Sequence, residues 1–249
     1  RKHLADWEQL GAQQYILTTI ARCRIPFKDE PPLHYPHRKI IKNFSTKISP
    51  EMTSMINDLK EKGVLEQPPI LNSGFHSRMF LVKKSDGGTR PIFDLRGLNA
   101  HIYTKHFHLI MQTDVRDFLQ TGDWLTKIDL QNAYFHIPIS ESHRRFLRVI
   151  YNQEVLQLTS LPFGLSSAPR TFAAVTNWVA EILRARGIRL LVYLDDFLLV
   201  HQDRSKLVCQ VAETLKTLQA LGWHVNYQKS VLEPTQELEY LGLLWNTQL

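Results

Sequence analysis

Residues 190–200 read LLVYLDDFLLV, with two adjacent carboxylates, Asp195 and Asp196, inside an otherwise apolar run. The Leu, Val, Tyr and Phe flanks have the character of buried β-strands. Burying a carboxylate is costly unless a positive charge balances it. Two acids at the end of a tight hairpin therefore suit a divalent cation held against a rigid sheet. Asp-Asp also suits an ordinary turn, and by itself the string fits a turn as well as a metal site. A second acid, Asp129, follows Leu125 and Ile128 in LTKIDLQNAYFHIPI (125–139). Taken alone, it reads as a turn or capping residue.

The elements between the acids decide how they can meet. LPFGLSSAPRTF (161–172) opens with a turn. Ser166 or Ser167 is expected to cap a helix carrying Phe172, Val175, Val179, Ile182 and Leu183 on one face, closed by Gly187. An acid-tipped strand, a hairpin, a capped helix and an acid-tipped hairpin then follow in order. That order places the two acidic tips on neighbouring strands of one sheet.

Asp129, LPFG at 161–164 and YLDD at 193–196, in this order and spacing, resemble the reverse transcriptases. The resemblance implies an α+β fold of right-hand polymerase type, with fingers and an antiparallel palm sheet backed by helices. It implies template-directed DNA synthesis on an RNA or DNA template-primer from deoxynucleoside triphosphates. Two Mg²⁺ ions about 3.5–4 Å apart, replaceable by Mn²⁺, would bridge the attacking and leaving oxygens. Asp129, Asp195 and Asp196 become the catalytic and metal residues, with Asp196 also able to orient rather than ligate.

SRMFLVKKSDGGTRPIFDLRGLN (77–99) resembles the fingers hairpin of the same family, two strands at 78–84 and 90–95 joined by Ser-Asp-Gly-Gly. By that likeness Lys83 and Arg90 contact the triphosphate, as a point charge and a planar fork respectively. Arg96 reaches the template strand. LGWHVNYQKS (221–230) places Lys229 near the triphosphate, and ELEYLGLLWN (237–246) resembles the primer grip, with Tyr240, Leu241 and Gly242 at its tip. Pro169 and Tyr193 fall with these as template-primer contacts, and Phe163 and Gly164 as nucleotide contacts. Tyr134 becomes the aromatic under the sugar that excludes a 2′-hydroxyl. Phe163 stands where retroviral enzymes carry glutamine. Together with IPFKDEPP (25–32), this departure most resembles DIRS-type tyrosine-recombinase retrotransposons, with Gypsy-like elements second.

The chain has 249 residues, enough for one large domain or two subdomains, and a formal net charge of +6 that suits a polyanionic partner. Two cysteines, Cys23 and Cys209, give neither zinc spacing nor a disulfide framework, so a reducing intracellular compartment is expected. No apolar run is long enough to span a bilayer. The division expected is an N-terminal extension at 1–48, fingers at 49–103 and 137–167, and palm at 104–136 and 168–249. No thumb is expected within the chain; a thumb and a ribonuclease H domain are expected to follow Leu249.

Periodicity predicts a loose helix over 7–20, an extended Pro-rich segment at 24–36 and a helix capped by Ser49 that ends at Gly63. It further predicts a short helix at 114–119 capped by Thr113 and a helix from Asp203 to Leu221. Strands are expected near 125–129, 146–150, 155–159, 223–226, 230–233 and 239–245. Three alternatives compete. An RNA-dependent RNA polymerase is opposed by bulky Tyr134. A domesticated, inactive nucleic-acid binder is opposed by the intact acids. A metal-stabilised structural domain leaves the basic hairpin unexplained.

Overall fold

The apolar run around Phe197–Val200 forms a strand buried on both faces, which is why it lacks polar alternation. The structure, a computed structural model, describes residues 3–85 and 87–248, and its chain folds as two units. The first comprises residues 3–17, 106–133 and 169–248 of those described. Its sheet has four antiparallel strands in the order Val231–Thr235, Trp124–Asp129, Asp196–His201 and Arg189–Tyr193. Helix Arg204–Ala220 packs on this sheet through Leu207, Val211 and Leu218. Asp203 caps it, accepting from the Lys206 amide at 3.1 Å. Helix Ala168–Ala185 buries Phe172, Val175, Val179 and Leu183 and stops before Gly187 at φ +85°.

Trp7, on helix Leu4–Gln9, stacks on Trp178 at 5.7 Å and meets Trp223 edge-on at 5.6 Å. Its indole N–H donates to the Leu221 carbonyl at 3.1 Å, so the buried ring leaves no orphaned donor. The far end of the sheet is clamped by Asp123, which is 0% exposed. Burial alone would raise its pKa, but donors from Arg189 (2.8 and 3.1 Å), Gln202 (2.6 Å) and the Gln120 amide (2.8 Å) hold it lowered.

The second unit comprises residues 18–105 and 134–168, with 86 outside the description. Its four-stranded sheet runs Ser45–Thr46, Arg148–Tyr151, Glu154–Leu158 and Leu65–Glu66. Asn152 and Gln153 turn the central hairpin at φ +48° and +66°, the positive values that a tight hairpin turn requires. A separate hairpin pairs Arg78–Lys83 with Thr89–Asp94 without a register shift. Its loop was expected to be Ser-Asp-Gly-Gly, and Asp86 of that loop lies outside the described residues. Ser49 caps helix Pro50–Glu61, accepting from the Met52 amide at 3.0 Å, with Met52, Ile56 and Leu59 buried.

Several local expectations are corrected. The helix expected over 7–20 is two helices, Leu4–Gln9 and Gln14–Arg22, because Gly11 takes φ +87° between them. Helix Arg38–Phe44 has no expected counterpart; it carries three basic residues, so its single buried Ile40 leaves little periodic signal. The short helix begins at Gln112, ahead of Thr113, and Asp114 accepts from the Met111 amide at 2.7 Å. The Ser166 hydroxyl caps nothing, and its amide donates to Asn99 Oδ1 at 2.9 Å. The strand expected at 223–226 shrinks to one bridge between Leu130 and Val225, because its backbone bonds go to the end of the Asp129 strand.

Asp123→Ala leaves Arg189 without its partner at the base of this sheet. The loss expected is about 3–5 kcal/mol of unfolding free energy, read from urea denaturation.

Candidate active site

The acidic hairpin turns through Leu194 and Asp195 between the paired residues Tyr193 and Asp196. Leu194 sits at φ +50°, a left-handed conformation disfavoured for a residue with a branched side chain. Neighbouring bonds hold the turn in place. The Asp195 carbonyl accepts from the Leu130 amide at 3.0 Å, and the Asp196 carbonyl accepts from the Tyr240 hydroxyl at 2.9 Å. Asp196 lies directly across the ladder from Asp129. Residues opposite one another in an antiparallel pair share a face. The two carboxylates are therefore forced together by register.

The Asp129 strand end is held equally firmly. Its amide donates to Ser230 Oγ at 2.9 Å and its carbonyl accepts from the Asn226 amide at 2.7 Å. Ser230 Oγ in turn donates to the Asn226 carbonyl at 2.7 Å. Asn226 and Ser230 flank Lys229 in the NYQKS segment, so the loop that carries the lysine also fixes the acid.

The electrostatics follow from this crowding. Burial first, then the charge of Asp129, pushes Asp195 up to about 6. The same two causes, with a contribution from Asp195, push Asp196 up to about 7, while Lys127 and Lys229 pull it down. Asp129 is raised by burial and pulled back by Lys229 and Lys127. Asp196 Oδ1 is buried with no hydrogen-bond partner among the described residues. Acids that repel one another and leave an oxygen unpaired match the donor chemistry of a hard divalent cation. Among the described residues, no group of three or more His, Cys, Asp or Glu side chains is arranged to hold a metal ion. Magnesium keeps several waters and takes few protein carboxylates, so an open acidic site fits it.

The hairpin expected to be the primer grip, Glu237–Tyr240 and Leu243–Asn246, turns at Leu241 and Gly242, at φ +51° and +76°. Tyr240, the last paired residue before this turn, is expected among the template-primer contacts but is 1% exposed, in the core behind the acidic turn. Its phenol pKa is raised by burial and by Asp196, so the hydroxyl keeps its proton and can donate. Tyr193 is half-buried against the same core, and Pro169 occupies the first turn of helix Ala168–Ala185. Lys229 is exposed and electrostatically coupled to all three acids. Lys127, a coupled cation not foreseen, was hidden in the expected strand.

In the second unit Tyr134 is buried and its ring lies 4.5 Å from that of Phe163, which is 65% exposed. Gly164 has φ +94°, and an added Cβ there would lie 3.3 Å from the Phe93 carbonyl. The Gly164 carbonyl accepts from Asn99 Nδ2 at 2.8 Å. Arg96 is exposed and grips Asp94 with two bonds of 2.8 and 2.9 Å.

Lys83 and Arg90 are corrected as a pair. Arg90 is opposite Val82, whereas Lys83 is opposite Thr89, so the two cations point to opposite faces of the hairpin. The ladder continues through the Lys84 amide, which donates to the Gly88 carbonyl at 2.6 Å. Alternation then puts Lys84 on the Arg90 face. Parity counted from Arg90 could have found it.

The sequence profile of the reverse transcriptase (RNA-dependent DNA polymerase) family matches residues 82–244. The chain belongs to that family. Protein P of a duck hepatitis B virus is 28% identical over 173 residues, covering 66% of this chain and 21% of that protein. The Gag-Pol polyprotein of a Rous sarcoma virus is 30% identical over 180 residues, covering 68% of this chain and 11% of the polyprotein. The chain thus spans about a fifth or less of either relative. Among solved structures, the foamy viral protease-reverse transcriptase in complex with double-stranded DNA aligns with a TM-score of 0.73 at 20% identity. That alignment covers 90% of this chain and 39% of that one. The prototype foamy virus protease-reverse transcriptase aligns at 0.71 and 23% identity, over 90% of this chain and 29% of that one. These likenesses show the polymerase fold, mixed α and β.

The raised acids set a pH dependence. A carboxyl with a folded pKa above its unfolded value contributes stability that is full below about 3.8 and is lost as pH rises through the folded pKa values of about 6 and 7. In EDTA, Asp196→Asn should match the parent's melting temperature near pH 4. It should exceed the parent by about 2–4 °C at pH 8. Scanning calorimetry across this range reads the difference.

Proposed function

We propose that the chain is the fingers and palm of a retroelement reverse transcriptase, extending a primer on an RNA or DNA template by two-metal nucleotidyl transfer. The observation that carries the reading is the register that sets Asp129 opposite Asp196 beside the Asp195 turn, in a member of this family. Asp129 and Asp195 would hold Mg²⁺, with Mn²⁺ as a substitute, and Asp196 would ligate or orient. When bound, the metal lowers the pKa of the primer hydroxyl and neutralises charge on the triphosphate.

The protein's own groups do the rest. The Tyr240 hydroxyl and the Leu130 amide hold the acidic turn by its carbonyls, so the carboxylates are preorganised. Lys229 and Lys127 offset part of the burial and repulsion that raise the acids. Lys84 and Arg90, sharing one face of the hairpin, would take the triphosphate as point charge and fork, with Lys83 on the reverse face. Arg96, Pro169 and the Leu241–Gly242 tip would meet the template-primer backbone. Solved neighbours include foamy viral complexes with double-stranded DNA and with an RNA/DNA hybrid, which supports a template-primer as the partner. Phe163 and the IPFKDEPP segment support a DIRS-type element, with Gypsy-like second. A thumb and a ribonuclease H domain would lie in the same longer polypeptide. Cys23 and Cys209 are both free, which supports a reducing intracellular setting. No helix among the described residues is long and apolar enough to cross a membrane.

Magnesium-dependent primer extension tests the assignment. Asp129→Asn and Asp195→Asn should keep the fold and lower extension at least ~10²-fold, as removal of one preorganised electrostatic partner does. Near-normal activity in both variants would refute it.

Tyr134 would exclude a 2′-hydroxyl by bulk, since a packed ring does not yield cheaply to an added atom. Tyr134→Ala should lower the ratio of kcat/KM for a deoxynucleotide to that for its ribonucleotide, while Tyr134→Phe keeps it. An unchanged ratio in the alanine variant makes Tyr134 a core residue only.

A further inference from the structure

The second unit holds a hydrogen-bonding conflict at His143, which is 9% exposed and lies on the short helical turn Glu141–Phe146. A neutral imidazole has one acceptor nitrogen and one N–H. Both ring nitrogens of His143 face donors. Nδ1 lies 2.8 Å from the buried Ile25 amide, and Nε2 lies 3.3 Å from Arg24 Nη2. One of these contacts therefore sets donor against donor. The Ile25 amide is fixed by the backbone and is the closer of the two, so Nδ1 accepts and Nε2 carries the proton. Protonating the ring would only make both nitrogens donors. Nε2–H and the Arg24 guanidinium thus meet as two donors in need of a shared acceptor.

The surrounding charges narrow the chemistry of that acceptor. Burial first, then Arg24 and Arg145, hold the His143 pKa below its usual value, so the ring is neutral at physiological pH. Arg145 lies over the Phe146 ring at 5.5 Å. Burial, then Arg145, lowers the Arg148 guanidinium as well, a sign of crowded positive charge. Neither Arg24 nor Arg145 forms an ion pair among the described residues. Acids of the adjoining segments are engaged elsewhere, Glu66 with Arg144 at 3.2 Å and Asp29 with His101 at 2.5 Å. Glu141, on the same helical turn, is exposed and pairs with neither arginine. The backbone around the ring is pinned, because the Cys23 amide donates to the Pro138 carbonyl at 2.7 Å and the Ser140 amide to the Cys23 carbonyl at 2.8 Å. Arg24 is exposed, so an anion can reach it from solvent. A phosphate has oxygens enough to accept from a guanidinium fork and an imidazole N–H together.

We propose that Arg24, His143 and Arg145 form a phosphate-binding site, with the two arginines as cations and His143 Nε2–H as the directional donor. The phosphate belongs either to a nucleic-acid backbone or to a small phosphorylated molecule. The site goes beyond the polymerase reading, since it uses none of the three acids and needs no metal.

The test uses the full chain in buffer stripped of divalent cations, so that no metal bridges a phosphate to the carboxylates. Inorganic phosphate and a single-stranded oligonucleotide without terminal phosphates are titrated separately by calorimetry, with ionic strength held by chloride. Arg24→Gln should weaken binding ~10-fold or more, as loss of a hydrogen bond to a charged group does. The glutamine oxygen can accept from Nε2–H, so the melting temperature without phosphate should be unchanged or raised. Arg24→Lys keeps the charge but not the fork and should fall between the two. Arg145→Gln should weaken binding as well, whereas Lys62→Gln, which removes an exposed cation paired with Asp58, should not. Inorganic phosphate binding that falls in Arg24→Gln supports a small phosphorylated molecule as the source. Oligonucleotide binding alone that falls in Arg24→Gln, with the slope of log K against log salt reduced by roughly 0.7, supports a nucleic-acid backbone. No binding of either probe, or binding that Arg24→Gln leaves unchanged, overturns the proposal, whatever the outcome of primer extension.

Discussion

The organising constraint in the first unit is the like-charge repulsion that strand register imposes on Asp129 and Asp196. Two half-buried carboxylates opposite each other destabilise a sheet. The arrangement persists because strong local interactions hold both partners. The Asp123–Arg189 clamp anchors the far end of the Asp129 strand, and the core of Leu125, Leu198 and Val200 welds the strands together. Tyr240 and Leu130 grip the carbonyls of the acidic turn, and Ser230 and Asn226 grip the backbone of Asp129. Leu194, in a left-handed conformation, is the visible strain of bringing Asp195 round to the same point.

This support explains roles that a search for reactive groups misses. Tyr240 was expected to contact the template-primer because its segment resembles the family's primer grip. Its work is behind the site, where a buried, protonated phenol fixes an acid's backbone without competing for its side chain. Asn226 and Ser230 likewise hold Asp129 from the segment that brings Lys229 close. The loop therefore couples the position of a cation to that of the carboxylate it moderates.

The second unit applies the same rule of alternation to opposite effect. On a two-stranded hairpin each residue's face is decided by the parity of its position, so adjacent lysines are not equivalent. Lys84 shares the face of Arg90 and Lys83 does not. Arg148, 1% exposed in this unit, donates through its guanidinium to Asn72. An added Cβ at Gly74 would lie 2.6 Å from the Arg145 carbonyl and 2.7 Å from Arg148, so only glycine fits that approach.

Much of this was legible in the sequence because it rests on local chemistry. The apolar strand around the Asp pair, the LPFG turn and the Ser49 and Asp203 caps are short-range signals that nearby atoms satisfy. The order of elements along the chain was enough to bring Asp129 and the Asp195–Asp196 hairpin to adjacent strands. Tertiary structure decided the rest. Helix Arg38–Phe44 buries one residue, and a helix defined by so little burial leaves no periodic trace. Burial of Tyr240, coupling of Lys127 to the acids and the choice between Lys83 and Lys84 depend on pairing register and on contacts between distant segments. Those energies arise only when the segments meet, so no window of sequence contains them.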